Sequence, residues 1–367
     1  VILNARTHST AHRRRGIVAA VAVGAIVALA LAATHYYTRP AHIAKVLTAA
    51  IAPDGSYRVA IGGSKYQPFR RRIVVTDVMI APDTLFLARD SLRTQCFFRA
   101  SSLHIDGLPL VSLNGGDIEI ASIQVDAPRL EILVDRTLPS PGRKIPVTLP
   151  HQKLKQVDRS IRVDEIHIVD GEVVYAERAV DGSRPGKFVF ADIAATVANV
   201  TNDAKRMEKP CTIDLQTRLA DSGLMNATFQ YGFAPRGLSM DYHATVGQMD
   251  ALSLNDLLID LVGIRVETGS IDTTSFHFKV DHDVAMGKVR VVYTDVDFAI
   301  VSKDSGEQSF KDAIATWMSD HRESNPAEDD EAALVMVVRR EREPHVGVTK
   351  FVWETVREGL LRTLDLQ

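Results

Sequence analysis

His277, Asp281, His282 and Asp283 are the residues whose types and spacing come nearest to a metal site. On a strand His277 and Asp281 share a face. Asp281-His282-Asp283, however, lies just ahead of Gly287 and reads as the polar tip of a hairpin, open to solvent rather than closed around an ion. Asp170 and Glu172 flank Gly171 and raise the chemistry of paired carboxylates. General acid–base work needs a cleft that separates the two proton affinities, and an Asp-Gly turn offers solvent instead. Gly62-Gly63-Ser64-Lys65 lacks the upstream glycine of a phosphate loop and reads as a turn between strands. No GxSxG elbow, Walker A loop or HExxH helix is present. Cys96 and Cys211 are the only cysteines; they can pair in an oxidising compartment but make neither a disulfide framework nor a zinc knuckle. Asn199-Val200-Thr201 and Asn226-Ala227-Thr228 fit the glycosylation acceptor pattern, a short motif that arises often by chance. The chain is therefore read as non-enzymatic, with no metal and no cofactor.

The 367 residues carry 43 Lys+Arg against 46 Asp+Glu. This near-neutral balance argues against nucleic acid as a partner, since phosphate binding relies on clustered positive charge. The dominant feature is Gly16 to Ala33, eighteen residues without a charge or a proline. As a helix it matches most of a bilayer's hydrocarbon core and satisfies its own backbone polar groups. Arg13, Arg14 and Arg15 favour the cytoplasmic interface, and Tyr36 and Tyr37 suit the far one. A cleaved signal peptide is the alternative, with Ala28-Leu29-Ala30 or Ala30-Leu31-Ala32 as its cleavage site. The length of the run and its aromatic and basic flank favour a retained anchor. Either way the remainder is exported.

Residues 41–52 carry apolar positions at helical spacing and end at Pro53-Asp54-Gly55. Period two takes over beyond them. Ile118 and Ile120 share one face with Asp117 and Glu119 opposite; Ile123 and Val125 resume out of phase, which predicts a bulge near Ala121-Ser122. Pro128 breaks the run before Leu130, Ile132 and Val134. The stretch 137–156, rich in proline and basic residues, reads as a loop or boundary. Ile161 to Val169 then passes through Asp170-Gly171 into Glu172 to Glu177, a predicted hairpin. Ile166 and Ile168, Phe188 and Phe190, Ile213 and Leu215, and the series Met225, Phe229, Tyr231 each hold one face of a strand, as do Val289, Val291 and Phe298 later. A helix is predicted over 252–261. The spacing of turn signals predicts a mainly β protein: one long antiparallel meander, without the helical crossovers that parallel strands need. At about 4.8 Å per strand, some 20 strands would span on the order of 100 Å. Residues 309–319 read as a helix, 320–331 as an acidic loop and 332–340 as a strand. Residues 347–364 form an amphipathic helix with Val348, Phe351, Val352, Val356, Leu360 and Leu364 on one side.

The segments RRRGIVAAVAVGAIVALALAA, GGDIEIASIQVDAPRLEILVD, IRVDEIHIVDGEVVYAER, FVFADIAATVANVT and REREPHVGVTKFVWETVREGLLRTL together resemble the AsmA-like family of bacterial envelope proteins, as a short member of the TamB and YhdP type. The resemblance implies a U-shaped, groove-like sheet, apolar inside and polar outside, with a few short helices. It also implies movement of phospholipid between inner and outer membranes. On that reading residues 1–15 are a cytoplasmic tail, 16–38 the inner-membrane anchor, 39–308 a periplasmic groove and 309–367 a cap. The candidate groove positions are Ile118, Ile120, Leu130, Ile132, Val134, Ile166, Ile168, Phe188, Phe190, Ile213, Leu215, Met225, Phe229, Tyr231, Val289, Val291 and Phe298. Membrane phospholipids are the expected partners, with envelope proteins or a second copy besides. A β-rich scaffold for an envelope assembly is the alternative, and a β-sandwich closing on itself is the alternative fold.

Overall fold

Alternation of β-branched and polar residues yields fourteen strands in a single mixed sheet. The structure is a computed structural model. It describes residues 54–107, 117–139, 146–178, 185–301 and 335–363, apart from 68–69, 89–91, 221, 234–236, 257–258 and 260–263, together with residues 40, 44, 48, 52, 144 and 325. The expected anchor, its flanking Arg13, Arg14, Arg15, Tyr36 and Tyr37, and the 309–319 helix lie outside these. So does the acidic loop, save Asn325. Among the described residues no helix is long and apolar enough to cross a membrane.

The strands are β1 (Tyr57–Gln67), β2 (Arg72–Pro82), β3 (Thr94–Asp106), β4 (Ile118–Asp126), β5 (Arg129–Asp135), β6 (Ile161–Arg178) and β7 (Gly186–Thr201). They continue as β8 (Cys211–Leu219), β9 (Gly223–Gly232), β10 (Ser239–Val246), β11 (Met249–Asp250), β12 (Ile264–Asp281), β13 (Val284–Ile300) and β14 (Met336–Glu341). Among the described residues the strands are accompanied by two short helices, α1 (Thr84–Leu87) and α2 (Pro150–Lys155), and a longer one, α3 (Val348–Thr363). The region expected to be helical from 252 begins as a 3-10 turn over Ala251–Leu254. Twelve strands form the path across the sheet, which at about 4.8 Å each spans about 50 Å rather than the 100 Å expected.

The sheet is not wholly antiparallel. β4 and β5 occupy one lane, antiparallel to β3 and parallel to β6. Every residue paired across that parallel seam meets the one 43 positions later, from Ile118↔Ile161 to Asp135↔Arg178. The two segments are alike in pattern: the break at Ala127-Pro128 sits beside Asp170-Gly171. A parallel pair needs a crossover of a dozen residues or more, and the proline-rich stretch after β5 provides it. The amide of Val147 donates to Pro344 O at 2.8 Å. Leu149 is buried, α2 follows, and the Asn202 side chain holds the return by accepting from Ile161 N at 2.6 Å and donating to Arg159 O at 2.7 Å.

Asp170-Gly171 is not a hairpin turn. It lies inside the 18-residue strand β6, with Asp170 at φ 56° and the β7 register shifting on both sides of Gly171. The left-handed backbone that suits an Asp-Gly turn equally suits a β-bulge. Asp192 and Asp295 repeat the device within β7 and β13, while Asp77 takes a left-handed φ within β2 without a change of register. Gly62 and Gly63 likewise lie within a strand rather than at a turn; a side chain on Gly62 would come within 2.7 Å of the Asp77 carboxylate across the ladder. Asp281-His282-Asp283 does form the expected hairpin tip, with His282 and Asp283 both at positive φ.

Hydrogen-bonded neighbours point to one face, so pairing defines rows across the sheet. One row runs Tyr66, Ile73, Ile105, Ile123, Ile166, Val197, Ile213, Phe229, Tyr242, Phe278, Gly287, Val338. The adjacent row on that face passes through Val75, Leu103, Val125, Ile168, Ala195, Leu215, Ala227, Ala244, Phe276 and Val289. Between them, facing the other way, are Lys65, His104, Gln124, His167, Thr196, Asp214, Thr228, His243, His277 and Lys288. Along these rows one face is apolar and the other mainly polar, with Val74 and Val337 as the apolar members of the row between.

Candidate functional site: the apolar face of the sheet

Two core clusters occupy this apolar face. The first gathers β1–β4 and the start of β6, with Leu92, Phe86 and Leu154 packed on it. The second gathers β10, β12, β13 and β14 beneath α3, whose Phe351 and Val356 are buried. Crossover residue Leu149 belongs to the second cluster while Leu154 packs on the first. His151 between them is buried, its Nδ1 3.0 Å from the Tyr231 hydroxyl. The crossover therefore bridges the two.

The candidate lipid-facing residues divide accordingly. Ile118, Ile120 and Ile166 are packed core of the first cluster, and Leu130 and Ile132 lie on its border. Val289 and Val291 are core of the second, with Phe229, Tyr231 and Phe298 on its border. Val134, Ile168, Phe188, Phe190, Ile213, Leu215 and Met225 belong to neither and remain partly exposed. Val173 and Leu219 join this last set: Leu130, Val173, Phe190 and Leu219 form one continuous row. Phe188 and Phe190 meet edge to face, with centroids 5.0 Å apart. β5–β9 thus present a connected, half-covered apolar surface.

The residues with other chemistry are dispersed. His277 sits on the polar face with Nε2 3.1 Å from Asp241, and His282 pairs with its neighbour Asp281 at 2.8 Å. Asp283 binds Arg342 instead, at 2.6 Å. Glu172 pairs with Arg129 rather than with Asp170. Among the described residues no three His, Cys, Asp or Glu side chains converge as metal ligands. The Asn199 side chain donates to the carbonyls of Lys209 at 2.9 Å and Pro210 at 3.2 Å, closing a loop rather than offering its amide to a glycan.

Both cysteines are free thiols, Cys96 buried and Cys211 partly so, and burial pushes each up to about 11. The thiolate is the reactive form, so both are expected to stay protonated and inert at pH 8. Iodoacetamide labelling of the native protein, followed by intact-mass spectrometry, should remain slow at pH 8 and accelerate as pH approaches 11. Urea-unfolded chain should label at pH 8 at the rate of a free thiol.

Two residues of this face escape sequence reasoning. Glu177 continues the inward phase of Val173 and Tyr175 on β6, and Arg136, the residue just after β5, continues the spacing of Ile132 and Val134. A charge in an apolar phase is the signal that marks them. In the structure they form an ion pair at the strand ends, with the Tyr175 hydroxyl donating to Glu177.

Fold and site together define a mainly β protein with one large mixed sheet, whose apolar face is only partly covered among the described residues. No protein-family model matches the chain, and no curated protein sequence matches it.

Proposed function

We propose that this chain is a membrane-anchored lipid-binding protein, facing the periplasm from the bacterial inner membrane. It holds phospholipid acyl chains on its apolar face during transfer between membranes, as a short member of the AsmA-like family. Its sheet curves into a groove, and the Gly16–Ala33 helix tethers one end at the donor bilayer. The observation that carries this reading is the half-covered apolar surface of β5–β9, where Phe188, Phe190, Leu215, Leu219 and Met225 lie outside both packed clusters. Apolar area left to water is costly in proportion to its extent. Acyl chains cover such a surface without any directional chemistry, which fits a stretch whose open side chains are mainly aliphatic and aromatic.

Purification of the full chain in mild detergent, followed by lipid extraction and mass spectrometry, should recover stoichiometric phospholipid. Leu215→Asp sets a carboxylate in the middle of the open stretch and should lower bound lipid about tenfold while the protein stays folded. Absence of phospholipid from the wild type would sink the reading, and a stable protein partner recovered in its place would favour a scaffold.

A further inference from the structure

The lanes from β1 to β8 carry their charge differently at their two ends. One end holds the β1–β2 turn, the crossover that precedes β6, and the β7–β8 loop at 202–210. Arg70 and Arg71 of the turn, Lys153 and Lys155 of α2, and Lys205 and Lys209 of the loop are all exposed there. None of the six has a carboxylate partner among the described residues. Most carboxylates of this end are already engaged. Asp106 holds Arg72 at 2.5 Å, Asp164 holds Arg162 at 2.7 Å, and Glu119 lies beside Arg162 across the parallel seam. Asp117 and Asp203 accept from the backbone amides of Ser160 and Lys205. Asp158 and Glu208 are left against the six cations. Desolvation lowers the proton affinity of the Lys153 ammonium, and no carboxylate offsets that. At the opposite ends of these lanes Arg58, Arg136 and Arg178 are each held by a carboxylate, with the exposed Lys187 beside them.

The chain approaches this basic end from its N-terminal side. Residues 40, 44, 48 and 52 are helical, and Ala52 packs in the first cluster just before the turn into β1. Thr48 Oγ1 accepts from Val59 N at 2.9 Å. Followed backwards from Ala52 to Thr48, the helix therefore runs beside β1 in the direction of Gln67. Pro40 lies about 12 Å further along it, at the rise of an α-helix, and Ala33 precedes Pro40 by seven positions. We propose that the basic end of β1–β8 rests on the anionic headgroups of the bilayer that holds Gly16–Ala33. This rests on the membrane-anchored reading above and adds the surface by which the sheet meets the membrane. The six cations are spread over about 24 Å of sheet width, five lane spacings from the β1–β2 turn to the β7–β8 loop. That is too wide to grip one small anion and suits a field of headgroups. Each Lys or Arg close to an anionic surface strengthens docking about fivefold. The carboxylate-paired arginines at the far end bring no such surplus.

The full chain is reconstituted through its anchor into nanodiscs of dioleoylphosphatidylcholine, alone or mixed with dioleoylphosphatidylglycerol. A lipid with a nitroxide on its headgroup serves as contact quencher. Bimane on Ala204→Cys reports the basic end, and bimane on Lys187→Cys reports the opposite one; the two native thiols stay protonated and unlabelled at neutral pH. The Ala204 label should be quenched in discs containing the glycerol lipid. It should recover in phosphatidylcholine alone and in about 1 M salt, where the screening length falls to about 3 Å. The Lys187 label should stay bright throughout. Lys205→Glu/Lys209→Glu should keep its circular dichroism spectrum and lower the docking equilibrium about thirtyfold, whereas Lys187→Glu should leave it unchanged. No quenching at Ala204 overturns the docking surface and leaves the anchor standing. So does quenching that ignores the glycerol lipid, survives the double reversal or is matched at Lys187. Failure of the chain to enter the discs overturns the anchor, and the surface with it.

Discussion

Tyr242→Ala is expected to lower the unfolding free energy by about 3–5 kcal/mol, the range for truncating a large aromatic in a packed core. Tyr242 is fully buried at the centre of the second cluster. Its ring stacks on Phe278 at 5.2 Å and on Phe229 at 6.1 Å, and Phe276 meets it edge-on at 6.3 Å. Its hydroxyl bonds Thr355, which fastens α3 to the sheet. Truncation removes the ring that unites three strands and the anchor of the covering helix, with no neighbour free to collapse into the space. Tyr242→Phe keeps the stack and loses only the hydroxyl contact, so about 1 kcal/mol is expected. Urea unfolding followed by circular dichroism distinguishes the two. If both variants lose the same amount, the hydrogen bond rather than the packing dominates.

Asp283→Ala should cost about 3 kcal/mol, because it leaves a buried guanidinium without its counter-charge. The Arg342 side chain is 6% exposed, and Asp283 is 27% exposed. One Asp283 oxygen accepts both from Arg342 Nε at 2.6 Å and from Leu238 N at 3.0 Å. The backbones cross the same junction: Arg342 N donates to Asp283 O at 2.8 Å. Arg342 Nη1 in turn donates to Val346 O at 2.7 Å, just before α3. One carboxylate thus ties the β12–β13 turn to the β9–β10 loop and to the entry of the last helix. Asp283→Asn keeps the positive-φ preference and the bond to Leu238, so it should lose less than the alanine variant. Equal losses would place the cost in the turn and not in the charge.

Much of the architecture is legible from spacing. Ile118 and Ile120, then Ile123 and Val125, show in sequence the change of phase that burial later confirms. The amphipathic stripe of the final helix is equally plain, since Phe351 and Val356 are its buried members. Asp170-Gly171 is misread for a physical reason. A left-handed residue beside a glycine serves a turn or a bulge alike, and the choice depends on whether a neighbouring lane continues past it. β7 does continue, pairing Ile193 with Gly171. The parallel seam was hidden in the same way. Alternation reports which face a residue takes and nothing about the partner strand, although the likeness between DIEIASIQVDAPRLEILVD and SIRVDEIHIVDGEVVYAER was there to be compared.

The candidate site divides along the same line. That Phe188, Phe190, Leu215 and Met225 face the apolar side follows from period two alone, because successive side chains on a strand must alternate. That Ile118 and Val289 are sealed while those four are half open depends on where α3, α1 and the crossover come to rest. Arg136 and Glu177 are 41 positions apart and meet only because β5 and β6 run parallel in one register. By itself the sequence determined a one-faced β chain with an apolar segment near its start and an amphipathic helix near its end. Tertiary structure alone decided which lanes are neighbours, which apolar residues are covered, and where charge meets the apolar surface. Side-chain facing is a local property of the backbone; coverage and charge pairing are set by contacts between distant segments, which no local period encodes.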